Sequence, residues 1–136
     1  MRTYRLLKTD FMCEPFICLI KKQKYVFALA RFRAGSHSLE IERGRYTNPK
    51  TPAYLRLCSE CHEVEDEIHF LITCKRYENE RRHLFDSIIR IQADFEALDD
   101  QEKFVYLMRL ENEQILTWIA KFIHDSMNKR EIYYET

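Results

Sequence analysis

Glycine and proline are scarce in this chain: its 136 residues include only two glycines and three prolines. A sheet protein with many tight turns needs these residues where its backbone reverses, so their scarcity favours helices joined by short loops. Long hydrophobic runs are also missing, since no stretch approaches the roughly 20 apolar residues that span a bilayer. The composition therefore predicts an all-α protein of one compact unit that has no membrane partner.

The cysteines argue against a disulfide framework. Three of the five lie within 17 residues, at a spacing that is typical of metal sites. The first residues of the chain lack the apolar core of a secretory signal. We therefore expect an intracellular protein, nuclear or cytoplasmic, in which the two remaining cysteines, Cys13 and Cys18, are buried thiols.

The formal net charge is zero, but the two halves of the chain differ in sign. Residues 1–57 carry twelve Lys or Arg against four Asp or Glu, and residues 58–136 carry ten against eighteen. This asymmetry has two interpretations: the basic half binds nucleic acid or another acidic partner, or the two halves neutralise each other. The pattern leaves both open.

Apolar residues recur at helical spacing in four segments. Between the first two, the segment 36–53 contains two prolines, which argue against a continuing helix and predict a connector. Asp99 and Asp100 supply carboxylates at the start of the third segment, where the positive end of a helix favours them. The predicted helices cover residues 16–32, residues 78–93, a short stretch after Leu98, and residues 113–129.

The first predicted helix is apolar on two opposite sides. Val26 and Phe27 lie on one side at helical spacing, and Leu29 and Phe32 lie on the other. Such a helix either lies at the centre of a bundle or presents an aromatic surface, and we expect the central position. Gly35 is placed to end this helix.

The most specific motif is Cys58-x2-Cys61-x7-His69-x4-Cys74. Three thiolates and one imidazole form a soft set of four ligands, which suits tetrahedral zinc and leaves no open position for a substrate. His69 and Cys74 lie five residues apart, about 140° around a regular helix, so the backbone must distort or end near Cys74 if both bind one metal. The alternative is three unrelated core cysteines beside a hydrogen-bonded histidine. His62 is a poorer ligand because it directly follows a cysteine that is already engaged.

The loop between the two ligand pairs is acidic, with four carboxylates in residues 62–68. Together with a zinc ion bound to three thiolates, these carboxylates would repel phosphate. We therefore expect the zinc to join two parts of the protein, and any nucleic-acid surface to lie on the basic side. The expected organisation is a basic helical segment and connector at 1–56, a CCHC zinc knuckle at 57–77 and an acidic helical bundle at 78–136.

Three runs of sequence resemble one known family. The runs RFRAGSHSLEIERGRY, LCSEC and EDEIHFLITCKRY, at residues 31–46, 57–61 and 65–77, resemble the C-terminal region of non-LTR (LINE-type) retrotransposon reverse transcriptases. In that family a CCHC zinc knuckle lies downstream of the polymerase and is embedded in helices. The resemblance covers residues 15–90. It implies a role in binding element RNA or target DNA during target-primed reverse transcription, with Cys58, Cys61, His69 and Cys74 as ligands and Arg43, Arg45 and Tyr46 beside them.

Catalysis is not implied by this resemblance. The chain has neither the polymerase Tyr-x-Asp-Asp motif nor a candidate endonuclease constellation. Its acidic clusters, such as Asp99-Asp100, are more typical of helix caps and solvated surface. Without an open metal position or a glycine-rich phosphate loop, we expect no enzyme.

Two functions fit these patterns. In the first, basic side chains contact phosphates, and Tyr25, Phe32 or Tyr46 stack on bases. In the second, the chain is a protein-interaction or scaffold domain whose zinc is purely structural. The residues predicted to contact nucleic acid are Lys21, Lys22, Lys24, Arg31, Arg33, Arg43, Arg45, Tyr46, Lys50 and Arg56.

Overall fold

The computed structural model of the protein describes residues 22–109 and 112–135, and side chains only as far as residue 132 in the last helix. In this part of the chain the fold is all-α, as the composition predicts, and the only strand-like pairing is one isolated antiparallel bridge. Lys21, Cys13, Cys18 and the first part of the predicted helix 16–32 lie outside the described residues. Among the described helices, none is both long and apolar enough to cross a membrane.

The α-helices of the described residues differ greatly in length. Two 3₁₀ turns, Ala53–Leu55 and Lys75–Tyr77, and one π-turn, His69–Thr73, lie between the second and third of them, and a further 3₁₀ turn, Ala93–Ala97, follows the third. The helices are α1 (Gln23–Ala34), α2 (Glu40–Arg43), α3 (Glu78–Ile91), α4 (Asp100–Met108) and α5 (Glu113–Glu135).

The end of α1 is where the sequence predicts it. Gly35 has a left-handed backbone with φ +75°, a conformation that glycine adopts without steric cost. Its N–H donates to the Phe32 carbonyl at 3.2 Å, and the Ser36 N–H donates to the Arg31 carbonyl at 2.9 Å. These two bonds satisfy carbonyls at the helix end and turn the chain towards α2.

The two apolar sides of α1 differ in burial, although the sequence predicts that both are covered. Val26, Leu29 and Phe32 are buried, whereas Phe27 keeps 59% of its surface exposed. In the described part of the chain, α1 packs mainly on α5. The prediction of a central helix is therefore wrong in this respect: α1 buries one broad face and presents an aromatic side chain to solvent.

Polar side chains cap the N-termini of both α4 and α5. The Asp99 carboxylate accepts a hydrogen bond from the Glu102 N–H at 2.8 Å, as the predicted acidic start requires. The Asn112 side chain accepts from the Gln114 and Ile115 N–H groups at 2.9 and 3.1 Å. α5 starts at the predicted residue but runs six residues further.

The core is aromatic and lies where α1, α3, α4 and α5 meet. Phe70, from the π-turn, is fully buried there, and its ring centre lies 4.9 Å from that of Tyr77 and 5.7 Å from that of Phe32. Ile91, the last residue of α3, is 44% exposed. The segment that carries the second pair of predicted ligands is thus anchored in the core of the bundle.

Candidate metal centre

The four residues of the cysteine and histidine motif converge in the folded chain. Their ligand atoms all lie within 4.8 Å of one another and could hold one metal ion. The Cys74 sulfur lies 3.8 Å from that of Cys58 and 3.9 Å from that of Cys61. Two sulfurs that share a tetrahedral zinc at bond lengths of about 2.3 Å are about 3.8 Å apart. The sulfur spacing fits such an ion, and the predicted grouping of the four residues is confirmed.

A tight turn carries the first pair of ligands. The Cys58 N–H donates to the Glu63 carbonyl at 2.7 Å, and the His62 N–H donates to the Cys58 carbonyl at 2.9 Å. His62 closes the turn with φ +59°, is exposed, and is not one of the four clustered residues. This position agrees with the prediction that His62 is a poorer metal ligand than His69.

A π-turn, His69–Thr73, brings the second pair together. It is closed by a hydrogen bond of 2.8 Å from the Cys74 N–H to the His69 carbonyl, five residues back. A regular helix would leave these two side chains about 140° apart, whereas the wider π-turn returns residue i+5 close to residue i. Cys74 then leaves the turn with an extended backbone, ψ 126°. The predicted distortion near Cys74 is confirmed.

The imidazole of His69 is oriented for metal binding. Its Nε2 atom is buried and has no hydrogen-bond partner among the residues that the structure describes. Its Nδ1 atom lies 3.1 Å from the hydroxyl of Thr73 and 3.5 Å from a carboxylate oxygen of Glu63. Metal-binding histidines commonly donate one ring N–H to such an oxygen and keep the other nitrogen for the ion. A metal at Nε2 would satisfy this otherwise orphaned buried atom.

Burial sets the charge of these ligands. It lowers the pKa of His69 and raises the pKa of the Cys74 thiol to about 12, because both charged forms lose their hydration. The neutral imidazole is the form that binds metals. The thiol must lose its proton first, so a cation among the sulfurs is what would stabilise three neighbouring thiolates.

Arg81 of α3 supports the π-turn from behind. Its buried guanidinium donates to the carbonyls of Phe70, Leu71 and Cys74 at 3.0, 2.9 and 2.7 Å. The Phe70 and Leu71 carbonyls belong to the π-turn, and the Cys74 carbonyl follows it and also accepts the Tyr77 N–H at 3.4 Å. The positive charge also stands beside the negative ligand set. The helical pattern of α3 did not predict this role, because Arg81 is one of several charged residues along the helix.

The acidic loop between the ligand pairs is mostly internal, which corrects the expectation that it repels phosphate. Glu65 and Glu67 are buried, and the Asp66 side chain accepts the His69 N–H at 2.8 Å, at the start of the turn. Of the four carboxylates, only that of Glu63 is largely exposed. The loop therefore uses its acidic residues to join segments of the fold and exposes little negative charge.

Glu65 and Glu67 attach this loop to the segment between α1 and α2. The Glu65 carboxylate accepts bonds from Arg130 of α5 at 2.7 and 3.3 Å and from the Glu40 N–H at 2.8 Å. The Glu67 carboxylate lies 2.9 Å from His37 Nε2, with both side chains 3% exposed. Residues 31–46 and 65–77 are therefore in direct contact with each other.

The residues predicted to contact nucleic acid fall into two groups. Arg33 and Arg56 are buried: Arg33 donates to the Met108 carbonyl, and Arg56 donates to those of Thr51 and Ile41 at 2.8 and 2.7 Å. Both support the interior and are removed from the set of phosphate contacts. Those exposed are Lys22, Lys24, Arg31, Arg43, Arg45, Tyr46 and Lys50.

The aromatic residues predicted to stack on bases also divide into buried and exposed side chains. Tyr25 and Phe32 are buried, which corrects their prediction as base platforms. Tyr46 is 81% exposed, and Tyr54, which sequence reasoning missed, is 72% exposed. A tyrosine among basic residues in a proline-containing connector was the signal that could have identified Tyr54.

Comparison with known proteins adds no relative to this description. No family model matches the chain, and neither a curated protein sequence nor a solved structure is significantly similar to it.

Proposed function

We propose that this chain is a non-catalytic, zinc-binding domain of the kind found at the C-terminal end of non-LTR retrotransposon reverse transcriptases, and that it binds RNA or DNA through its basic N-terminal half. The resemblance of three sequence runs supports the family. The mutual contacts of two of those runs, through Glu65 and Glu67, support the view that they act as one structural unit.

The identity of the metal is argued from its ligands. Three sulfurs and one imidazole nitrogen favour zinc over hard cations such as magnesium or calcium. Four protein ligands complete a tetrahedral shell, so the ion has no open position at which it could activate water or a substrate. The zinc is therefore a structural ion in this proposal, and no reaction is assigned to the protein.

The observation that carries the nucleic-acid proposal is the surface of residues 43–57, which we call the basic loop. It contains Arg43, Arg45 and Lys50 as exposed cations and includes no Asp or Glu. Tyr46 and Tyr54 are the most exposed of the large apolar and aromatic side chains in the described chain. Arg43 and Arg45 also form ion pairs with Glu40 and Glu42 of α2, at 3.2 and 3.1 Å. Exposed aromatic rings among cations are what single-stranded nucleic acid binds through stacking and phosphate contacts.

The metal-binding segment holds both ends of the basic loop. The Glu65 carbonyl accepts the Ile41 N–H at 3.1 Å just before the loop, and the Glu65 N–H donates to the Arg56 carbonyl at 2.9 Å near the end of the loop. Inside the loop, the Thr51 N–H donates to the Gly44 carbonyl at 3.0 Å, and the buried Arg56 side chain fills the space beneath. A Cβ atom on Gly44 would lie 2.5 Å from Arg56 Cγ, so glycine is required by this close approach. The zinc would thus order the loop that binds.

A salt series tests the nucleic-acid proposal. The zinc-loaded chain is titrated into a labelled 12-nucleotide RNA or DNA at increasing salt, and the logarithm of affinity should fall linearly. Each lost phosphate contact reduces the slope by about 0.7 for a single strand. Replacing Arg45 and Lys50 by glutamine should therefore reduce it by about 1.4, while the exposed Arg90→Gln on α3 should leave it unchanged. Absence of binding at low salt, or a flat slope, would overturn the proposal.

A second candidate function is supported by a cleft between α3 and α5. Trp118, Leu84 and Phe122 line this cleft of about 400 Å³, together with the carboxylates of Glu80 and Asp125 and the ammonium group of Lys121. Because residues 58–136 are acidic overall, a basic helix of a partner protein is the occupant that such a cleft would favour. A pulldown that survives nuclease and is lost in Trp118→Ala would favour this candidate over nucleic-acid binding.

A further inference from the structure

A second cleft lies between α1 and α5, outside the metal centre and the basic loop. Its volume is about 330 Å³, at the small end of the range for ligand sites. Both helices contribute residues at helical spacing, so each presents one continuous face to the cleft. The side chains that matter for its chemistry are Lys24, Phe27 and Arg31 on α1, with His124, Met127 and Asn128 on α5.

Phe27 is the unusual residue of this cleft. It is 59% exposed, although the other large apolar residues of α1 in the described range are buried. No aromatic partner packs on its ring among the residues that the structure describes. An exposed phenyl ring on a rigid helix is a ready surface for a second planar group.

Lys24 and Arg31 lie on either side of Phe27 along α1. Both are exposed, and the Arg31 Nε donates to the Ser36 carbonyl at 3.0 Å, which restrains the guanidinium. Glu131 is the one acidic residue lining the cleft, so two cations outweigh one carboxylate. The charge therefore favours an anionic ligand with a group that can stack on the ring.

The α5 side of the cleft supplies hydrogen-bonding groups. The Asn128 amide lies 3.5 Å from Nε2 of the His124 imidazole, whose Nδ1 atom lies 3.1 Å from the Asp125 carboxylate. Amide and imidazole groups can donate to and accept from the edges of an unpaired base. Aromatic surface, flanking cations and these polar groups are together the chemistry that recognises a nucleotide.

We infer that the cleft between α1 and α5 binds one unpaired nucleotide of the strand that the basic loop holds. The base stacks on Phe27, and the neighbouring phosphates contact Lys24 and Arg31. This inference rests on the proposed nucleic-acid function and sharpens it, because a base inside a duplex cannot reach Phe27. The preferred ligand is therefore single-stranded RNA or DNA.

The test compares Phe27→Ala with two controls in the zinc-loaded full chain. Phe27→Leu keeps an apolar side chain but removes the ring, and Ile91→Ala removes an exposed apolar side chain from α3. Each variant is titrated into a labelled 12-nucleotide single strand and into the duplex of the same sequence, after circular dichroism and zinc content have confirmed folding. Loss of one stacked base should weaken single-strand binding about tenfold or more for Phe27→Ala and Phe27→Leu, and leave Ile91→Ala unchanged.

The outcomes separate this inference from the proposed function. If the wild-type chain binds single strands and Phe27→Ala binds equally well, the cleft inference is overturned and nucleic-acid binding through the basic loop stands. If Phe27→Ala weakens single-strand and duplex binding equally, the stacking role is also overturned. If the wild-type chain binds neither ligand at low salt, both the inference and the proposed function fail.

Discussion

Two regions of this molecule are stabilised by different means. Residues 37–77, which we call the metal-organised region, contain the four-residue helix α2 and several short turns, joined by hydrogen bonds between the backbone and side chains such as those of Glu65 and Arg56. In the helical region, α3, α4 and α5, long helices bury an apolar core. Burial of apolar side chains can maintain the second region by itself. The first contributes Leu39, Phe70 and Leu71 to the same core but contains no long helix, so we expect the order of its turns to depend on the metal.

This difference in stabilisation bears on the position of the basic loop, the proposed nucleic-acid surface. The basic loop belongs to the metal-organised region, and its two ends are both hydrogen-bonded to Glu65. A loop of this kind would be mobile if it were attached only to α1. Anchoring by a four-ligand metal site supplies rigidity without a large core, which is a common solution for short segments.

The largest expected effect comes from removing one metal ligand. Cys74→Ser should abolish metal binding and destabilise the protein by several kcal/mol, because the free energy of structural zinc binding, about 10–16 kcal/mol in small domains, is coupled to folding. Native mass spectrometry should show one zinc ion in the wild type and none in the variant. His62→Asn, which changes a neighbouring histidine at a left-handed position, is the control and should keep the zinc. Equal zinc content in Cys74→Ser would contradict the assigned ligand set.

A smaller effect is expected where the two regions meet. Glu65→Gln removes the nearer of two carboxylates beside the buried Arg130 of α5, at 2.7 Å against 3.6 Å for Glu40, and should lower the free energy of unfolding by about 3–5 kcal/mol. Chemical denaturation measures the loss. The double variant Glu65→Gln with Arg130→Met should recover part of it, because the buried positive charge is then absent. If the double variant is less stable than the single one, the ion pair is not the link between the regions.

The smallest effect is confined to the helical region. Asp99→Ala removes the N-cap of α4 and should lower the melting temperature by a few degrees without changing zinc content. Asp99→Asn keeps an acceptor and serves as the control.

Hydrogen bonding from the Glu102 N–H holds the pKa of Asp99 below its ordinary value of 3.8. The cap is therefore fully formed above pH 3.8 and is lost as pH falls through the lower pKa of the folded state. An Asp99 carboxyl signal that titrates above pH 3.8 in nuclear magnetic resonance spectra would contradict this assignment.

Local features of the fold could be predicted from the sequence, because their causes are local. Gly35 and Asp99 mark helix ends by their own backbone and side-chain chemistry. The spacing of His69 and Cys74 required a departure from helical geometry, and the π-turn supplies it. In each case the residues that decide the structure lie within a few positions of one another.

Long-range pairings could not be predicted in this way. Glu65 and Arg130 are 65 residues apart, and no pattern in either segment indicates that they meet. The alternation of Glu65 and Glu67 was a partial signal, since residues two apart in an extended segment face the same side. The acidic composition of residues 62–68 instead predicts a solvated loop that repels phosphate. The exposure of Phe27 was missed for a related reason, because periodicity gives the faces of a helix but not which of them is covered.

The central claim is that the metal orders residues 37–77 while the helical region keeps its own structure. Amide hydrogen exchange of the zinc-loaded protein, with and without a chelator, tests this claim most directly. Metal removal should abolish protection at the amides of Ile41, Cys58 and Cys74, and leave the central turns of α3 and α5 protected. Retained protection at those three amides after complete removal of zinc, or an equal loss throughout the chain, would contradict the account.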